Sequence, residues 1–275
     1  GQTVRPLLPA AIRLHIPPRQ KRRPPGRMQP HPRQMLLLDG CVQPALAPAI
    51  NDATRRVLDA LGIRTVMAGS SGCCGAVSFH LGATREAKDF MRRNIDAWWP
   101  GIEAGAEAIV VTASGCAPMV KDYGRALAGD PDYAGKAARV SELARDISEI
   151  IAAEPLENCL ARTAGGQAIA FHSPCTLQHG QRITGVVERL LEQAGYTLQP
   201  VADGHLCCGS AGTYSILQPD LSENLRNNKL AALQAGEATA IATANIGCLM
   251  HMSGHARVPV RHWIELLDSL LPEAS

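Results

Sequence analysis

The sequence predicts an α/β protein made of two tandem Rossmann-like halves, each built on a parallel sheet and related by an internal repeat. Three observations predict this. First, a cysteine pattern occurs twice: Cys41, Cys73-Cys74-Gly75 and Cys116, then Cys175, Cys207-Cys208-Gly209 and Cys248. In both copies 31 residues separate the first cysteine from the doublet, and 41 or 39 separate the doublet from the last. Second, short apolar runs alternate with segments of helical periodicity, the signature of parallel βαβ units with right-handed crossovers. Third, each cysteine or doublet follows a strand candidate, and residues just beyond the C-terminal ends of parallel strands face the crevice where such sheets bind ligands.

In chain order, residues 1–34 read as a Pro/Arg-rich linker. They hold eight prolines, whose density prevents helix and sheet, and eight Lys or Arg with no acid. The first cysteine-rich half is expected over 35–134. Its strand candidates are 35–38 before Cys41, 64–68 before the doublet, and 108–112 before Cys116. Ile50, Ala53, Val57, Leu58 and Leu61 recur at helical spacing with Gly62 as the stop, and a second helix is expected over 84–99. Residues 135–166 read as a helical connector with a helix over 140–152. The second half, 167–275, repeats the plan. Strands are expected at 168–171, 197–202 and 239–243, with helices over 183–194 and 220–235.

Composition narrows the function classes. The chain has 275 residues, 46% hydrophobic and 19% charged, enough to bury a substantial core. Net charge is +2, but with eight cations on the linker the remainder carries 2 − 8 = −6. That balance and only 4% aromatic residues disfavour nucleic-acid binding. No apolar run reaches the length of a membrane span, and no secretory signal is expected. Nine cysteines is an odd number, and adjacent Cα atoms lie about 3.8 Å apart, below the roughly 4.4–6.8 Å of a disulfide. Reduced thiols are therefore expected, in two sets of four.

Four thiolates suit either structural zinc or an iron–sulfur cluster. Zinc sites normally use short C-x-x-C spacings, and none occurs here. Vicinal cysteines with partners scattered along some 75 residues favour a larger inorganic core reached from several loops, a [4Fe-4S] cluster, over zinc or unliganded thiols. The expected ligands are Cys41, Cys73, Cys74 and Cys116, and Cys175, Cys207, Cys208 and Cys248. One shared cluster and two separate ones both fit the spacing.

The flanking residues carry a resemblance. Gly72-Cys73-Cys74-Gly75-Ala76 and the stretch from Leu206 through Cys207-Cys208-Gly209 to Tyr214 resemble the tandem cysteine-rich (CCG) domain family. Asp39-Gly40-Cys41-Val42-Gln43-Pro44, Thr112-Ala113-Ser114-Gly115-Cys116 and Val120-Lys121-Asp122-Tyr123-Gly124 most resemble its glycolate oxidase (glycolate dehydrogenase) iron–sulfur subunits, over about residues 35–272. The resemblance implies an electron-transfer subunit, with no independent catalysis. It would accept electrons from FAD-containing subunits that oxidise glycolate to glyoxylate and pass them to a respiratory acceptor such as a quinone. It implies a cytoplasmic location, with peripheral contact at the inner face of the plasma membrane left open. Complete members carry a ferredoxin-like region with two C-x-x-C-x-x-C runs, which this chain lacks. Heterodisulfide-reductase relatives carry a fifth cysteine where this chain has Met119 and His251, so five-cysteine clusters are not expected.

Three alternatives stay open: an iron–sulfur subunit of a lactate-oxidising complex, a heterodisulfide-reductase-like module that reduces its substrate at the cluster, and a redox-inactive scaffold. His80, His172, His179, His205 and His251 could hydrogen-bond to sulfur or hold local structure. Met119 reads as core filler, Cys159 as a free buried thiol, and Trp98 and Trp99 as core or interface residues.

Overall fold

In a computed structural model that describes residues 29–272, the apolar run at Met35–Leu37 ends the strand β1 (Arg33–Leu37), which organises the first half. The tether reading of residues 1–28 lies outside the described residues. β1 pairs in parallel with β2 (Ile63–Met67) on one side and β3 (Ile109–Val111) on the other, and β3 pairs with β4 (Ala144–Asp146). The second half repeats this with β5 (Ala168–His172) between β6 (Thr197–Leu198) and β7 (Ala240–Thr243), and with β8 (Val260–His262) outside β7. The two four-stranded orders are thus β2-β1-β3-β4 and β6-β5-β7-β8. In each, the chain leaves the second strand and returns on the far side of the first, which opens a crevice at the C-terminal edge.

Both faces of each sheet are covered, as parallel sheets require. Alternation along β1 divides its side chains: Leu37 joins a core common to both halves, while Leu36 joins an outer core under the long helix Thr84–Glu103 with Met91, Ile95 and Trp98. The common core also takes Ile50, Val57 and Leu58 from the helix Ala49–Ala60, Ile150 and Ile151 from Ile147–Ile151, Val187 and Leu190 from Val186–Gln193, and Trp263 and Ile264 from Trp263–Asp268. These four helices lie between the two sheets. They pair crosswise: Trp263–Asp268 of the second half packs on Ala49–Ala60 of the first, and Ile147–Ile151 of the first on Val186–Gln193 of the second.

The helix expected over 140–152 is broken. A helix Ala134–Leu143 ends, β4 intervenes, and Ile147–Ile151 starts anew. Asp146 causes the restart. Its Oδ1 accepts the Ser148 N–H at 3.0 Å while Glu149 Oε2 accepts the Asp146 N–H at 2.8 Å, a capping box that begins a helix where apolar periodicity alone runs on. His262 plays the same part after β8, with Glu265 closing its box. β6 stops after two residues, short of the expected 197–202, as Pro200 lacks the N–H that a longer ladder needs.

Polar contacts join the halves as well. Arg56 Nε donates to Asp268 Oδ1 at 2.6 Å, Gln181 Nε2 to Asp146 Oδ2 at 2.8 Å, and the Ser114 N–H to Ala244 O at 3.1 Å. His262 is fully buried, with Nε2–H donating to Thr112 O at 3.0 Å and Nδ1 accepting the Ile264 N–H at 3.3 Å. Only the neutral ring makes both bonds. Burial pushes its pKa from the ordinary 6.5 down to about 4. The unfolded chain therefore binds this proton first. Its contribution to stability is complete above pH 6.5 and is lost as pH falls toward 4, by about 3 kcal/mol. Urea midpoints measured against pH should show this acid limb in the wild type and a flatter one in His262→Asn.

Candidate metal centre

Each of the eight repeated cysteines is delivered to the C-terminal edge of its sheet by the segment after a strand. Cys41 follows the left-handed Gly40 (φ +79°) beyond β1 and is exposed. A buried polar network fixes its loop: Asn51 Nδ2 donates to Asp39 O at 3.0 Å, and Gln43 Nε2 donates to Asn51 Oδ1 at 3.0 Å and to Thr112 Oγ1 at 2.8 Å. The Cys41 loop is thereby tied to the end of β3, where Cys116 begins the helix Ala117–Lys121. Cys73 and Cys74 follow β2. Their carbonyls accept bonds from Asn94 Nδ2 at 2.9 Å and Tyr123 Oη at 2.9 Å. In the second half Cys175 precedes the π-turn Thr176–Gly180, Cys207 and Cys208 follow β6, and Cys248 lies in the first turn of Ile246–Ser253.

The eight expected ligands thus fall into two quartets, one per half. Within the first, the neighbouring Cys41 and Cys74 thiols, with the Gly75 N–H at 3.4 Å and the Arg93 charge, hold Cys73 far below the ordinary thiol range. Cys41 is raised in return by Cys73, and Cys74 by Cys116 and then Cys73. The second quartet repeats the chain: Cys175 and Cys208 lower Cys207, the Gly209 N–H reaches its sulfur at 3.2 Å, and Cys208 lowers Cys248. Four thiols in such succession cannot all ionise by themselves, because like charges this close disfavour one another. A cationic core displaces the protons and lets all four bind as thiolates, so the donor set fits a metal or cluster.

The doublet glycines are required by shape. Gly209 has φ +88°, and a Cβ there would sit 2.4 Å from Ser222 O; at Gly75, φ +84°, it would sit 2.9 Å from Ala87 O. Both doublets are therefore pressed against the backbone of a long helix further along the chain, Thr84–Glu103 in the first half and Pro219–Leu233 in the second.

Other candidates separate clearly. His80, His179 and His205 are exposed, whereas His172, at the end of β5, is 2% exposed. A ring nitrogen of His172 and the sulfurs of Cys208 and Cys248 all lie within 4.8 Å of one another, and neither ring nitrogen has a hydrogen-bond partner among the described residues. His251 is held by Ser222, Nε2 to Oγ at 3.2 Å, and Met119 is buried in the first half's outer core. Cys159 lies in the common core, its thiol donating to Leu156 O at 3.1 Å, and Trp98 is core while Trp99 Nε1 donates to Glu103 at the surface. Sequence reasoning missed Ser210 and Asn245 beside the Cys248 sulfur, at 3.8 and 3.6 Å. It also missed Asn94 and Lys229, whose one legible signal is a polar residue on the apolar face of a helix.

The fold and the two quartets define a duplicated α/β protein with a thiol-rich centre in each half. The chain belongs to the cysteine-rich (CCG) domain family, whose cysteine-rich domain matches residues 35–121 and again 169–253. The chain is similar to the glycolate oxidase iron-sulfur subunit of Escherichia coli (strain K12), 52% identical over 274 residues, covering 98% of this chain and 66% of that protein. A Bacillus subtilis (strain 168) relative is 28% identical over 225 residues, covering 81% of this chain and 50% of that protein. Lactate utilization protein A of Geobacillus kaustophilus (strain HTA426) is 29% identical over 229 residues, covering 80% of this chain and 92% of that protein. The chain therefore spans 66% and 50% of the lengths of the first two.

Gly209→Ala should cost about 3 kcal/mol, since it combines positive φ with a clash against immovable backbone. Gly82→Ala, also at positive φ (+81°) but with nothing within 4 Å, should cost about 1 kcal/mol. Denaturant midpoints of the two variants test whether the clash sets the difference.

Proposed function

We propose that this chain is the electron-transferring iron–sulfur part of a flavin-dependent glycolate dehydrogenase, and that each quartet holds a [4Fe-4S] cluster. The observation that carries the reading is the convergence of four thiols at the sheet edge in both halves. The 52% identity to a glycolate oxidase iron-sulfur subunit supports the choice of complex. A bound cluster supplies one-electron redox chemistry, which sulfur ligation, burial and N–H donors tune. The chain's residues do the rest. Cys41, Cys73, Cys74 and Cys116 hold the first cluster, and Cys175, Cys207, Cys208 and Cys248 the second. Gly75 and Gly209 present N–H groups to sulfur, and the deep positions of Cys74, Cys208 and Cys248 exclude water from one side of each site.

Substrate oxidation belongs to FAD-containing partner subunits. The exposed Cys41 lies on the open side of the first site, and apolar side chains stand exposed near both doublets, Val77 and Leu81 in the first half and Leu206, Ile216 and Leu217 in the second. Such a rim suits a docked partner. A respiratory quinone is the proposed final acceptor. No helix among the described residues is long and apolar enough to cross a membrane. Quinone contact in this reading is made from the cytoplasmic side. A lactate-oxidising complex is the second reading, favoured by the 92% of the Geobacillus protein that the chain covers. Co-purification decides between them by which hydroxy acid reduces the attached flavoprotein.

Anaerobic purification with iron and sulfide analysis tests the cofactor. Cys74→Ser and Cys208→Ser should each remove about half the iron, because each quartet holds its own cluster. Loss of all the iron from one substitution would mean a shared cluster. No iron or labile sulfide under reconstituting conditions would reject the reading.

A further inference from the structure

The two quartets repeat each other in sulfur but not in surroundings. Counting from the cysteines aligns the halves. His172 stands three residues before Cys175 where Leu38 stands three before Cys41. Ser210 stands two residues after Cys208 where Ala76 follows Cys74, and Asn245 stands three before Cys248 where Ala113 precedes Cys116. At all three positions the second half carries a polar side chain and the first an apolar one.

The three polar groups converge on the same sulfurs. Ser210 Oγ donates to Cys248 Sγ at 3.8 Å, Asn245 Nδ2 donates to Cys248 Sγ at 3.6 Å, and the His172 ring lies against Cys208 and Cys248. His172 is buried with both ring nitrogens otherwise unpartnered among the described residues, so its N–H has no competing acceptor there. Charge differs in the same sense. Ala87 and Ser222 are equivalent, since each offers the carbonyl that crowds its doublet glycine. Seven residues further on, Asn94 of the first half corresponds to Lys229 of the second. Lys229 is 3% exposed, with Nζ donating to Asp203 O at 2.8 Å, and its charge and the Cys207, Cys208 and Cys248 thiolates attract one another. The first quartet's nearby cation, Arg93, is exposed and screened by solvent.

Reduction adds negative charge to a cluster, and hydrogen bonds to sulfur, together with a buried cation, stabilise that charge. We propose that the second quartet holds its cluster at a higher reduction potential than the first, so that an electron shared between the halves rests on the second. In that exchange one electron leaves the first cluster and one enters the second, with no bond made or broken. The route is short: a Cβ on Gly115, next to Cys116, would lie 3.2 Å from Asn245 Oδ1, and the same Asn245 side chain donates to Cys248. This inference rests on the iron–sulfur reading above.

The test is a potentiometric titration of the reconstituted full chain, followed by EPR after iron and sulfide have been measured. Two one-electron transitions are expected, the signal kept by Cys74→Ser titrating at higher potential than that kept by Cys208→Ser. The triple variant His172→Leu, Ser210→Ala, Asn245→Ala, with every cysteine intact, should lower only the upper transition. The expected shift alters the electron's partition about tenfold, about 59 mV for a one-electron couple. Ala76→Ser with Ala113→Asn should raise the lower transition instead, which keeps the test open where the triple variant folds poorly. Equal or reversed midpoints, or both variants leaving them unmoved, would overturn the inference with the clusters intact. Absence of iron from the wild type would overturn the iron–sulfur reading itself, and the inference with it.

Discussion

Everything in this molecule depends on covering the inner faces of two parallel sheets with one set of four helices. Neither half supplies a complete lid for its own sheet. Leu37 and Val110 of the first half and Ile169 and Ala242 of the second are buried in the same core, with helices from both halves between them. Burial of fully apolar side chains at roughly 25 cal/mol per Å² makes that shared layer the dominant attraction between the halves. The polar links, Arg56 with Asp268 and Gln181 with Asp146, fix register within it. The two cysteine edges inherit their relative position from this packing.

The sites follow from strand order. A central first strand with crossovers to either side leaves its C-terminal end in a crevice, and the loops after three neighbouring strands must all open there. Thiols distant in sequence meet for that reason, and the polar network of Gln43, Asn51 and Thr112 keeps the loop after β1 against the end of β3. The doublet needs a further device. Glycine lets its backbone press against the long helix that holds Ala87 or Ser222, leaving the two adjacent side chains to neighbour the other sulfurs.

Much of this was legible in the sequence. Apolar runs marked the central strands, because strands buried on both faces have no room for polar residues. The repeated cysteine spacing marked both the duplication and the ligand sets. What escaped was short or set by tertiary contact. β4 and β8 have three residues each, with Arg and Asp or His among them, and owe their existence to pairing with β3 and β7. Asp146 interrupts an apolar rhythm that otherwise reads as one helix. His172, among several histidines near cysteines, gained meaning only once β5 carried it to the buried side of the sulfurs.

The crosswise pairing of helices has the form of a twofold dimer contact. The helix after the fourth strand of one half packs on the helix after the first strand of the other, and the reverse contact is made as well. Two identical copies of a single half would meet in this same self-complementary way. Joined in one chain, the halves meet at high effective concentration, and the contact no longer depends on assembly. Linkage has a second effect. A symmetric pair must carry two identical centres, whereas a fused pair may keep its shared framework and alter the residues around one centre alone, as the contrast of Leu38 with His172 records.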